Sequence, residues 1–388
     1  MQETIGWWGL YGWLWLTAAV LSWAISPWLI RLAFKTGYLD RPGHRKIHEQ
    51  PKALLGGLAV YLGFWVTIGV HLLGMALLVH WRPDWIPNHV RVHIDGVAYV
   101  GGRLWGLFAA GSLLVCVGLI DDRIALSARS KLVAQVAAAL VLYGAGVGLS
   151  LFLPSDVLKL AATVLWVVVV TNAMNFLDNM DGLCSGIGAI AAALFGVVGA
   201  LQGQYFIALL AFPLSGAMAG FLPFNLAPAR AFLGDTGSLF IGVMLASLAM
   251  LETFYQAGSA TVLPVVAPLI ILAVPLHDMA ATIWVRIRLG RPVYKGDTNH
   301  ISHRLVRLGL TRRQAVGLIC CLSGTLGLGA AAMVGASTTA VWLILLQTLI
   351  LLSILFLMQL WGHRANDELE RYSQPETAAR AGDEENAS

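Results

Sequence analysis

The chain has 388 residues, 58% of them hydrophobic and 12% charged, with a net charge of +4 and a mean hydropathy of +0.74. No soluble domain hides that much apolar surface, so the composition excludes a soluble protein and calls for an all-α polytopic membrane protein in contact with the lipid bilayer. The charge is modest and no nucleic-acid partner is expected. Cys116, Cys184, Cys320 and Cys321 lie in apolar stretches without paired spacing, which implies no disulfide framework.

Apolar runs long enough to cross a bilayer fall near 7–30, 54–79, 104–120, 132–150, 157–174, 183–201, 205–222, 237–254, 261–285, 314–335 and 339–361, which predicts about eleven transmembrane helices. The first is not read as a cleaved signal, because its leader MQETIG carries Glu3 and no Lys or Arg. Positive charge then sets the orientation. With the N-terminus outside, the inside segments hold 21 of the 25 Lys and Arg residues, and the C-terminus is cytoplasmic. In the loop after the second span, VRVHIDGVAYVGG (90–102) alternates around Asp95-Gly96 and predicts a small outer β-hairpin. Residues 1–363 are expected to form a single transmembrane catalytic domain. The acidic tail 364–388 has almost no apolar residues and is expected to be disordered.

This topology gathers every unusual polar cluster on the cytoplasmic side: DRPGHRKIH (40–48), LIDDR (119–123), NAMNFLDNMDG (172–182), FLGDTGS (232–238), HD (277–278) and GDTNHISHR (296–304). An ionisable group at membrane depth costs roughly 2.5–3.5 kcal/mol on insertion scales, so such groups usually mark function. Each also has an ordinary reading. Asp121 and Asp122 end a helix, where they either face water or supply charge for a divalent cation or a proton transfer. Asp235 is either the N-cap of the helix that follows or, between Gly234 and Gly237, part of a backbone that approaches a ligand closely. His277 and Asp278 lie inside a span and have the option of bonding each other.

Asn172, Asn175, Asp178 and Asp181 recur every three residues. In a continuous α-helix that row turns by about 60° per step, so its ends would point to opposite sides. The spacing therefore predicts a helix that tightens, or one that ends near Asp178 and restarts at Asp181-Gly182. His300 and His303, three apart, suit phosphate contacts or proton transfer if they share a helical turn. Arg45, Lys46 and His48 serve either as topogenic charge or as a diphosphate clamp. Taken together, the clusters offer carboxylates for Mg²⁺, basic groups for phosphates and amides for a polar base or sugar.

In order, these motifs resemble those of the polyprenyl-phosphate N-acetylhexosamine-1-phosphate transferases, over 38–315 of the chain. The resemblance implies transfer of a sugar 1-phosphate from a UDP-sugar to undecaprenyl phosphate, with release of UMP. It also implies a Mg²⁺ cofactor (or Mn²⁺), a bacterial inner-membrane location with the site facing the cytoplasm, and room for a homodimer. By matching position, Asp235 is the principal metal ligand, Asp121 lies beside the attacking lipid phosphate, and Asp122 is its partner near the metal. Asn172, Asn175, Asp178 and Asp181 match the nucleotide-binding stretch. His300 and His303 match the histidine motif near the donor phosphates, with Asp297 and Arg304 flanking it. Many sugar-transferring members read D-R-x-H-I-H-H where this chain has Asp297-Thr298-Asn299-His300-Ile301-Ser302-His303, so an Arg and the middle His are missing. Arg45, Lys46 and His48, together with the absence of a triple-histidine run, favour the N-acetylglucosamine branch. The runner-up is the branch that transfers phospho-MurNAc-pentapeptide. A transporter is the rival outside enzymes, but transporters place intramembrane charge near the midplane in related halves, and this chain shows neither.

Overall fold

The structure, a computed structural model, describes residues 2–41, 50–81, 96–149, 153–252, 262–290, 292 and 300–359. Its helices are α1 (Gln2–Thr36), α2 (Gly56–Trp81), α3 (Gly96–Ile124), α4 (Ala128–Gly144), α5 (Asp156–Leu177), α6 (Leu183–Leu201), α7 (Tyr205–Asn225), α8 (Gly234–Leu251), α9 (Ala267–Ile271), α10 (Ala273–Arg288), α11 (Ile301–Arg307), α12 (Arg312–Ala332) and α13 (Thr338–Gln359). Among the described residues, nine helices are long and apolar enough to cross a membrane. The backbone in lipid must satisfy its own N–H and C=O groups, and helices do so within one segment.

The other two expected spans are helical but depart from the prediction. The run predicted at 132–150 begins earlier, at Ala128, where the Ser127 hydroxyl accepts from Ser130 N at 3.1 Å and caps a 17-residue helix. The run predicted at 261–285 is broken into a 3₁₀ turn (Leu263–Val266), α9 and α10. Pro275 lacks the N–H that would bond the carbonyl of Ile271, and its ring crowds that carbonyl, so α9 cannot continue into α10. The outer hairpin is a correction. Gly96 opens α3, and 97–102 are helical rather than a returning strand. Six alternating residues do not outweigh the helix that the apolar run after them propagates. The rest of that predicted hairpin, residues 90–95, and the tail 364–388 lie outside the described residues. The small sheet stands elsewhere: β1 (Leu39–Asp40) pairs antiparallel with β2 (Lys52–Ala53).

The core is built around α8, whose faces meet α2, α3, α5 and α6. Glycines permit that crowding. A Cβ on Gly118 of α3 would lie 2.4 Å from Thr236 Cα, and one on Gly57 of α2 would lie 2.1 Å from Gly237 N. Small residues let helix backbones approach closely in a bilayer, where burial alone does not favour association. The consequence is local. Gly118 is one turn before Asp122, so the end of α3 is pressed onto the start of α8. The 226–233 loop is strapped over this junction by Phe232 N to Ala53 O (2.8 Å) and by Gly57 N to Leu233 O (2.9 Å).

Candidate active site

At its end α3 turns sharply through Ala125, at φ +47°, into α4. Asp121 secures that turn by accepting from Leu126 N at 2.7 Å. Its other oxygen receives Lys131 Nζ at 3.0 Å, and the same ammonium donates to Asp235 Oδ2 at 2.6 Å. Two carboxylates from different helices thus converge on one cation. Asp122 points elsewhere, as neighbours about 100° apart on a helix must. Its Oδ1 accepts from Asp235 N at 2.8 Å, and its Oδ2 accepts from Thr236 N at 3.2 Å and Thr236 Oγ1 at 2.6 Å.

Asp122 is therefore the cap of α8. The helix begins at Gly234, after Leu233, which supplies no side-chain cap. A carboxylate against these first N–H groups also suits the helix dipole. Two expectations change. Asp235 is not an N-cap, because it already lies inside the helix and its carboxylate meets Lys131 and Asn175. Asp122, expected near the metal, spends both oxygens on the α8 terminus. Gly234, at φ +69°, leaves no room for a Cβ, which would lie 2.6 Å from Asp122 Oδ2.

The α5–α6 connection breaks near the expected place. α5 ends at Leu177, Asp178 is its C-cap, and α6 restarts after Gly182, at φ +78°. The four polar residues divide as the helical geometry requires. Asn175 Nδ2 reaches Asp235 Oδ1 at 3.0 Å and Ser238 Oγ at 2.9 Å. The Asp178 carboxyl accepts from the Gly234 N–H. Burial, then the carboxylates of Asp235, Asp122 and Asp181, hold it well above the usual carboxylate range. Asn172 instead pairs with Gln135 (2.7 Å) and Val168 O (2.8 Å). Asp181 accepts from Ala229 N at 3.0 Å and holds the 226–231 loop.

The histidines belong to α10 and to the start of α11. His300 precedes α11, and its Nδ1 is 2.7 Å from Asp278 Oδ2, while Ile301 N donates to Asp278 Oδ1 at 2.8 Å. His277 does not bond Asp278 but sits edge-on to Phe356. Adjacent helical residues do not face each other, so that expected pair could not form. The His303 imidazole is pushed down to about 4 by burial, then by His300 and Arg307, and is neutral near pH 7. Ser302, at the missing middle histidine, is fully buried and donates to Asn179 Oδ1. Phe176 meets the His300 ring edge-on at 5.9 Å and carries the Arg286 guanidinium over its face at 5.1 Å. Through Phe176 and Asn179 the histidine segment joins the same connection that carries Asp178. Arg304 is buried in α11. Arg45, Lys46, His48 and Asp297 lie outside the described residues.

In the sequence Lys131 is one of the inside positive charges, and its place ten residues after Asp121 carries no recognisable spacing signal. Gln135, one turn further along α4, was likewise unmarked. Among the described residues, no three His, Cys, Asp or Glu side chains form a protein-only metal cage. Asp121 and Asp235 around one positive charge are nevertheless a donor set that fits Mg²⁺, which takes one or two carboxylates and completes its shell with water and substrate phosphates.

Residues 104–253, which carry Asp121, Asp122, Lys131, Asp178 and Asp235, match the model of glycosyl transferase family 4. A probable undecaprenyl-phosphate N-acetylglucosaminyl 1-phosphate transferase of Bacillus subtilis (strain 168) is 30% identical over 336 residues, covering 84% of this chain and 85% of that protein. The chain belongs to glycosyl transferase family 4. A second relative is the decaprenyl-phosphate N-acetylglucosaminephosphotransferase of Mycolicibacterium smegmatis, 34% identical over 82% of this chain and 81% of that protein. A third is the undecaprenyl-phosphate alpha-N-acetylglucosaminyl 1-phosphate transferase of Escherichia coli (strain K12), 30% identical over 74% of each. With nine helices long and apolar enough to cross a membrane among the described residues, this membership makes the chain a multi-pass membrane transferase and removes the transporter as a reading.

Proposed function

We propose that this enzyme transfers N-acetylglucosamine 1-phosphate from UDP-GlcNAc to undecaprenyl phosphate at the cytoplasmic face of the bacterial inner membrane, releasing UMP. The observation that carries the reading is the convergence of Asp121 and Asp235, from two helix ends, on Lys131. The named activities of the three relatives support the substrate class. The lysine and arginine distribution supports a cytoplasmic site.

The chemistry asks for little covalent participation by the protein, so positioning and charge dominate. An oxygen of the lipid phosphate attacks the sugar-bearing phosphorus. The bond from that phosphorus to the bridging oxygen breaks, and the electron pair leaves with UMP. Asp235, with Asp121 opposite, would hold Mg²⁺ (or Mn²⁺), which when bound balances diphosphate charge and polarises the phosphoryl oxygens. Lys131 offers a second positive charge where acceptor and donor phosphates meet. Asp121 keeps that ammonium in place, and Asp122 fixes the first turn of α8 so that Asp235 is presented rigidly. Asn175 orients the other Asp235 oxygen, and His300 and His303 face the donor phosphates.

The test is UMP release by purified protein supplied with undecaprenyl phosphate and either UDP-GlcNAc or UDP-MurNAc-pentapeptide. Turnover with UDP-GlcNAc should dominate. A clear preference for the pentapeptide donor would move the chain to the other branch.

A further inference from the structure

We propose that Asp278 is a positioning residue for the transfer, holding the His300 ring by Nδ1 so that Nε2 is the nitrogen presented to the donor phosphates. The inference rests on the reading of His300 as a donor-phosphate contact.

Asp278 belongs to α10 and is 1% exposed, so a carboxylate has been placed inside a membrane helix bundle at considerable cost. Both of its oxygens are used on consecutive residues of one segment. Oδ2 meets His300 Nδ1 at 2.7 Å, and Oδ1 meets Ile301 N at 2.8 Å. One side chain thus fixes the imidazole and the backbone immediately after it. Thr282, one turn further along α10, brings Oγ1 to 3.5 Å from the same ring nitrogen. The ring edge is bounded by Phe176, and Ser302 is tied to Asn179 beside Asp178. Residues 300 and 301 are thus anchored by Asp278 and residue 302 by Asn179.

The choice of nitrogen has a chemical consequence. A carboxylate oxygen only accepts, so Nδ1 carries the proton it meets, and the ring reaches a phosphate oxygen, also an acceptor, as the imidazolium, through Nε2–H. A ring free to rotate would offer either nitrogen, and phosphate positioning would lose the preorganisation that phosphoryl transfer depends on. The alternative is that Asp278 does no more than cap α11.

Two substitutions separate these roles. Asn caps about as well as Asp. Asp278→Asn can therefore keep the Ile301 N bond, but its amide N–H then faces Nδ1, which must accept, so the ring holds a single proton and loses the positive charge it brings to the phosphates. Ile301→Pro does the reverse. It removes the capped N–H, proline is accepted at the first helical position, and the preceding His300 already has the φ −69°, ψ 152° that precedes proline readily. With UDP-GlcNAc, Asp278→Asn should lower kcat on the order of 10- to 100-fold, as losing a partner that orients a liganding histidine does. Ile301→Pro should stay within a few-fold of wild type. Asp278→Asn combined with His300→Gln should be no slower than His300→Gln alone, because one role has been removed once. Additive losses in the double variant, or equal losses from Asp278→Asn and Ile301→Pro, would overturn the positioning role. Should Asp278→Asn not fold, Ile301→Pro decides: retained activity supports the proposal, and a folded inactive protein overturns it. Near-wild-type turnover by His300→Gln would overturn the underlying reading of His300 instead.

Discussion

Lys131→Met isolates the residue that joins the two carboxylates. Methionine keeps the length of the side chain and removes the ammonium, which lies 3.0 Å from Asp121 and 2.6 Å from Asp235. All three side chains are less than a quarter exposed. Each charge-assisted contact at such a site contributes about 1.5–3 kcal/mol. The variant also leaves two carboxylates facing one another without the charge between them. Without divalent cation, the loss of stability should be on the order of 2–4 kcal/mol, since the exposed fraction of each group lets water offset part of the two contacts. Mg²⁺ should recover most of it, because the cation takes the place that Lys131 contests in the wild type. Turnover should not recover. Removing one preorganised electrostatic stabiliser costs about 2.7–4 kcal/mol of barrier, or about a hundred- to thousand-fold in rate. The assay pairs thermal unfolding in detergent, with and without Mg²⁺, with UMP release at saturating Mg²⁺. The expected signature is a larger Mg²⁺-induced rise in Tm than in the wild type, accompanied by collapsed kcat. Wild-type turnover from folded K131M, or a Mg²⁺ shift no larger than that of the parent, refutes the assignment of Lys131 to the site.

Asp122→Ala removes the cap of α8 and should cost about 1–2 kcal/mol of stability as well as activity, whereas a residue facing only water would leave Tm unmoved. The His303 imidazole titrates near 4 when folded against about 6.5 unfolded, so the unfolded chain binds more protons between those values. Stability should therefore fall as pH drops from about 6.5 toward 4, and His303→Gln should flatten that limb of a Tm-against-pH curve. Single cysteines introduced at Gly96 and Ala379 should label from opposite sides of intact cells, Gly96 from outside. An impermeant reagent that reaches both would sink the eleven-span orientation.

Much of the architecture was legible along the chain. Transfer into lipid is a local free energy that each residue contributes by itself, so nine of the predicted spans coincide with helices long and apolar enough to cross a membrane. The break at Asp178 to Gly182 was readable for a similar reason. A three-residue polar repeat cannot stay on one face of an α-helix, and Gly182 supplies the left-handed turn. The carboxylates and the Asn175 amide were legible because polar groups inside apolar runs are costly enough to stand out. The hairpin around Asp95-Gly96 was not borne out, since a short alternating pattern carries no information about the helix it adjoins.

The sequence by itself thus determined where the long apolar helices lie and which polar residues stand out as candidates for the chemistry. It did not determine their partners. Asp122 was adjacent to Asp121 and shared its description, yet one caps α8 across 113 positions and the other holds Lys131. Asp278 stood next to His277 and bonds His300. Lys131 looked like one more inside charge until α4 folded back on α3. These assignments depend on which helices touch and at what rotation, and here the close approach at Gly118 and Gly57 sets both. Successive residues on a helix diverge by about 100°, so nearness in sequence separates side chains that tertiary packing alone can pair.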